Sequence, residues 1–115
     1  MKILDSIITI DELKEIANNT FVNLVKAVVD VEKKLIAIDA ELHSDLEALF
    51  IENNSEQKNL WGINLYPDME IENEDFLEFD SMINIRPSQG NRSRSVDSAE
   101  MQKEIIDIVN KWVKR

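Results

Sequence analysis

Two alternating runs that each break at a proline constrain the fold of this chain more than any other feature. In residues 60–66, Trp61, Ile63 and Leu65 fall on one side and Gly62, Asn64 and Tyr66 on the other. Pro67 then ends the run, because it has no N–H to give a ladder. In residues 77–86, Leu77, Phe79, Ser81, Ile83 and Ile85 alternate with Glu78, Asp80, Met82, Asn84 and Arg86, and Pro87 is the stop. The two runs close alike, as Ile-Asn-Leu-Tyr-Pro and Ile-Asn-Ile-Arg-Pro. A period of two predicts strands with one apolar face, and a connection of roughly ten residues suits antiparallel neighbours. With Ile63, Leu65, Ile83 and Ile85 facing helices, Asn64, Tyr66, Asp80, Asn84 and Arg86 would gather on the opposite surface. Asn is disfavoured in strands, so its repetition marks either an exposed position or a ligand-facing one.

The remaining pattern completes the fold. Residues 3–8 are β-branched and apolar enough for an edge strand. Thr9 and Glu12 make a capping box, with Ile8 and Leu13 as its staple, so a helix is predicted over 10–19. Residues 21–31 fit a helical stripe (Phe21, Leu24, Val25, Val28) as well as alternation, and their β-branched density favours the strand. With the polar turn Glu32-Lys33-Lys34 and a second apolar run at 35–38, they read as a β-hairpin. In residues 39–52, Leu42, Leu46, Leu49 and Phe50 have helical spacing. The apolar run before Asn53-Asn54-Ser55 instead favours a strand at 47–52, with a helical turn over 41–46 as the competing reading. The last helix is predicted from Asp97 as N-cap, with Glu100 closing a capping box and Val96 and Met101 as staple. Met101, Ile105, Ile108, Val109 and Trp112 are its apolar stripe. The expected fold is α+β: a mainly antiparallel sheet of four to five strands with an N-terminal and a C-terminal helix on one face, in one domain of residues 1–115.

Charge and composition exclude several function classes. Acidic residues outnumber basic ones 23 to 13, a net charge of -10 that disfavours nucleic acid as a partner. The absence of cysteine removes disulfides, thiolate metal sites and thiol nucleophiles. No apolar run reaches the roughly 18 residues of a membrane span, and the first residues lack a signal peptide's apolar stretch, so a cytoplasmic location is expected. Asp68, Glu70, Glu72 and Glu74 alternate, but Asn73 and Phe79 stand where an EF-hand loop needs Gly and Glu, so the segment reads as a solvated acidic loop. No P-loop, dinucleotide fingerprint or nucleophile–base pair is present, and no cofactor is assigned.

Against this acidic background, residues 79–96 stand out. They hold three of the four arginines and no acidic residue from Ser81 through Val96. Short donors and guanidinium forks are equipment for binding carboxylate or phosphate. The candidate ligand-binding residues are therefore Asn64, Tyr66, Asp80, Asn84, Arg86, Gln89, Asn91, Arg92 and Arg94. The plain alternative is that the arginines pair with the chain's own carboxylates, Asp80 among them. His43, the one histidine, lies between Glu41 and Asp45. This trio suits acid–base work or a divalent metal, against the alternative of a buried, hydrogen-bonded imidazole.

The stretches 41–43 (Glu-Leu-His), 60–67 and 79–94 resemble a family of small uncharacterised prokaryotic proteins, catalogued as a domain of unknown function. The resemblance implies a prokaryotic cytosolic protein and transfers no catalytic residue. The first expectation is a domain that binds an anionic small molecule at the arginine-rich loop and polar sheet face. The alternatives are a protein-interaction module or homodimer using the same face, and a hydrolase using His43; the residues leave open whether the protein is an enzyme.

Overall fold

Pairing of the most apolar strands with one another sets the architecture. A computed structural model describes residues 1–115. Its elements are β1 (Lys2–Ile3), β2 (Ile8–Thr9), α1 (Ile10–Asn18), β3 (Val25–Asp30), β4 (Leu35–Ile38), α2 (His43–Glu52), β5 (Leu60–Leu65), β6 (Leu77–Glu78), α3 (Ala99–Trp112) and β7 (Val113–Lys114). Short 3-10 turns lie at Gln57–Asn59, Glu74–Phe76, Met82–Asn84 and Pro87–Gln89. Five strands form an antiparallel sheet in the order β1-β4-β3-β5-β6, and β2 pairs in parallel with β7. Central β3 pairs with β5 along its length, from Val25 opposite Leu65 to Asp30 opposite Leu60. The β3–β4 hairpin is as expected. Its turn is held by buried Asp30, which accepts from the N–H groups of Glu32 (2.9 Å) and Lys33 (3.0 Å) and from Ser55 Oγ (2.6 Å).

The fold is α+β, and both sheet faces are covered. On one face Val25, Ala27, Val29, Ile36, Ile38, Trp61, Ile63 and Leu65 pack with Leu13 and Ala17 of α1 and Ile105, Ile108 and Val109 of α3. These are the N-terminal and C-terminal helices anticipated on one face. On the other, Val28, Ala37 and Leu60 pack against Leu46 and Phe50 of α2. Burial on both faces explains why β3 and β4 read as near-continuous apolar runs.

Four local readings change. Residues 47–52 are helical, not a strand: Leu46 and Phe50, four apart, present one face to the sheet, so the helical period prevails. Residues 3–8 do not form one strand, since β1 joins β4 and β2 leaves for β7. The strand expected over 77–86 stops after Glu78; Leu77 and Phe79 still pack on the main core, but Ile83 packs on the α2 side and Ile85 is exposed. Ser81 Oγ instead accepts from Ile83 N–H and starts a 3-10 turn. The N-cap of α3 is Ser98, whose Oγ accepts from Met101 N–H, because Asp97 is occupied by the preceding loop through Arg92 N–H and Ser93 Oγ.

The early end of β6 leaves the outer edge of β5 without a backbone partner over half its length. Side chains take that place. Asn84, fully buried, accepts from Gly62 N–H through Oδ1 (2.8 Å) and donates from Nδ2 to the Gly62 carbonyl (3.0 Å) and the Arg94 carbonyl (2.9 Å). One amide thus reproduces both halves of a strand pair. Gly62 is required by close approach: a Cβ there would stand 2.5 Å from Ser81 Cβ. Asn84→Ala should leave the Gly62 N–H and the Gly62 carbonyl buried without partners, while the Arg94 carbonyl keeps the Ser81 N–H, and destabilise the fold by about 3 kcal/mol. The readout is a lower urea midpoint at unchanged slope; a loss below about 0.5 kcal/mol would show that the edge does not need this side chain.

Candidate functional site

On the α2 side of the sheet, the pair Val28–Gly62 lies under apolar cover, and the pair beyond it, Lys26–Asn64, lies next to the first residues of α2. This leaves a cleft of about 440 Å³ bounded by the start of α2, the ends of β3 and β5, and residues 78–83. Its polar lining is Lys26, His43, Ser44, Asn64, Tyr66, Glu78, Asp80, Ser81 and Arg94; Leu24, Leu42, Met82 and Ile83 are its apolar part.

A connected set of bonds orders the polar side. Asn64, 6% exposed, donates from Nδ2 to Glu78 Oε1 (2.8 Å) and to the Asp80 carbonyl (3.3 Å). The Tyr66 hydroxyl donates to the same Glu78 oxygen (2.9 Å). Burial raises the Tyr66 phenol above its ordinary pKa, and the Glu78 carboxylate raises it further. Arg94 Nε donates to Asp80 Oδ1 at 2.7 Å. Both partners are largely exposed, at 55% and 41%, so this pair adds little to stability and is accessible to a ligand.

His43 opens α2 and turns inward, 8% exposed. Its Nε2 lies 2.8 Å from the Ile63 carbonyl, which can only accept, so Nε2 carries the proton and Nδ1 is the acceptor of the neutral ring. Burial lowers its pKa from 6.5; the Lys26 charge acts the same way, while the Ile63 bond, Asn64 and Asp80 oppose it. Asn64 Oδ1 is buried without a hydrogen-bond partner. No side chain caps the first N–H groups of α2, whose Leu42, His43 and Ser44 border the cleft.

Of the residues singled out in the sequence, Asn64, Tyr66, Asp80, Arg94 and His43 come together here. The others lie elsewhere. Asn84 seals β5. Arg86 is buried, donates to the carbonyls of Gln57 and Leu60 (2.7 Å for Leu60), and stacks 4.2 Å above the Trp61 ring. Burial lowers its pKa, against the opposing charge of Glu47, but guanidinium stays protonated in proteins. Asn91 is a hub, donating to the carbonyls of Asn84 (2.8 Å), Ser93 (3.2 Å) and Ser95 (2.8 Å) and accepting from Asp97 N–H (2.8 Å). Gln89 donates to the Lys58 carbonyl (3.0 Å), and Arg92 is exposed. Glu41 and Asp45 are exposed while His43 is buried, and no three His, Asp or Glu side chains are placed to hold a metal.

Lys26, Ser44, Glu78 and Ser81 complete the polar lining of the cleft and were not among the site residues named from the sequence. Glu78 shares its alternation with Asp80, which was a usable signal. Lys26 enters only through its register with Asn64, which a single sequence does not supply.

The profile of one family, described as Protein of unknown function (DUF5674), matches residues 2–112, and the chain belongs to that family. No curated protein and no solved structure matches it.

His43 gives the fold a pH dependence. Its folded pKa lies below 6.5, so as pH falls through that value the unfolded chain takes up a proton that the native state refuses, and stability drops. Denaturation midpoints measured between about pH 7.5 and about pH 5 should fall in the wild type and fall less in His43→Gln. Identical slopes in the two proteins would show that His43 is not the group responsible.

Proposed function

We propose that this member of the DUF5674 family binds a small molecule bearing a carboxylate or phosphate in the cleft at the start of α2, with Lys26 and Arg94 receiving the anion. The observation that carries the reading is the bonding of Arg94. Only Nε is engaged, by Asp80, so the guanidinium is oriented while its terminal nitrogens have no protein partner. Lys26 forms no salt bridge and rests 5.0 Å above the Phe21 ring. The uncapped first turn of α2 adds N–H groups and a partial positive charge beside the same space. Asn84, Arg86 and Asn91 serve the site indirectly by fixing the segment that carries Asp80 and Arg94.

A second reading, general-base catalysis by His43, is supported by its neutral ring in the same cleft as Asp80. It requires Nδ1 to reach a bound substrate, and a His43→Gln protein that turns over substrate at the wild-type rate would end it.

Thermal denaturation against a panel of phosphates and carboxylates tests the binding proposal. A ligand at a hundredfold its Kd should add about 2.7 kcal/mol of stability. Lys26→Met and Arg94→Gln should abolish the shift while keeping the unliganded melting temperature close to wild type. A panel that moves the wild-type melting temperature nowhere, or moves the variants equally, would overturn the assignment.

A further inference from the structure

We infer that the ligand of this cleft is a zwitterion, specifically an aliphatic α-amino acid, an inference that rests on the anion-binding reading and narrows it. The cleft is lined by two cations, Lys26 and Arg94, and two carboxylates, Glu78 and Asp80. Each carboxylate has spare capacity. Glu78 accepts from Asn64 and Tyr66 through Oε1 alone, and Asp80 accepts from Arg94 through Oδ1 alone, so Oε2 and Oδ2 have no protein donor. The spare capacity on the positive side is the terminal nitrogens of Arg94 and the ammonium of Lys26. A ligand with only an anion would satisfy one half and leave its charge beside two carboxylates. A carboxylate and an ammonium on adjacent atoms answer both halves, with the Arg94–Asp80 pair as their mirror image.

The field of the whole molecule points the same way. At a net charge of -10 the protein repels multiply charged anions such as nucleotides from its surface, whereas a molecule with no net charge approaches without that penalty. The apolar part of the lining sets the rest of the ligand. Leu42 is 55% exposed and Met82 65% exposed, both at the cleft, and they offer apolar surface to a side chain of leucine or methionine size.

Calorimetric titration with L-leucine, leucine amide, N-acetyl-leucine and inorganic phosphate separates the possibilities. The amide lacks the carboxylate and the acetylated form lacks the ammonium. Leucine should bind at least tenfold more tightly than either derivative and than phosphate. Glu78→Gln, which leaves the Arg94–Asp80 pair in place, should lower leucine affinity tenfold or more without weakening N-acetyl-leucine, and Arg94→Gln should weaken both. N-acetyl-leucine or phosphate binding as tightly as leucine would overturn the zwitterion and leave the anion-binding reading standing. Binding of the amide alone, equal binding of all three leucine compounds, or no binding at all would overturn both.

Discussion

The outer edge of β5 is the constraint on which the rest of the structure depends. β5 is hydrogen-bonded to the central strand and contributes to both cores, through Trp61, Ile63 and Leu65 on one face and Leu60 on the other. β6 reaches only Asn64 and Leu65, so Gly62 and the Leu60 carbonyl face outward from the ladder. An unpaired buried peptide group is costly, and an open edge invites association with other strands. Asn84 and Arg86 close it with side-chain atoms, which frees the backbone of residues 79–86 to fold into turns. The same turns carry Asp80, Ser81, Met82 and Ile83 into the cleft wall, so the closure of the edge and the shape of the cleft are one arrangement.

Arg86 shows how a buried cation is kept without a carboxylate partner. Two carbonyls and the face of Trp61 replace much of its hydration, and a planar delocalised cation tolerates this better than an ammonium does. The net negative charge of the protein also lowers the cost of holding it there.

Features set by local chemistry were legible in the sequence. Thr9 and Glu12 form the capping box, and the alternation of Trp61, Ile63 and Leu65 survives in the sheet. Features decided by tertiary contact were not. Leu46 and Phe50 become helical because a second apolar sheet face awaits them, and the sign of that face was the unbroken apolar run of β3. Asn84, Arg86 and Asn91 looked like ligand groups because a side chain that binds backbone has the same chemical character as one that binds a ligand. Exposed Arg94 and Asp80 retained a place at the cleft, since their partners left capacity unused.

The parallel pairing of β2 with β7 has a consequence for the order of assembly. It joins Ile8 to Val113, and α3 together with Val113 supplies a large part of the main core. The β3–β4 hairpin and α2 close over short stretches of chain, whereas this clasp spans most of the chain and its closure entropy comes due late. During synthesis the part of this sheet face that α1 leaves open must therefore wait for residues 99–113 to arrive. The nascent chain would then pass through a stage with an exposed apolar sheet, the kind of species that chaperones shield.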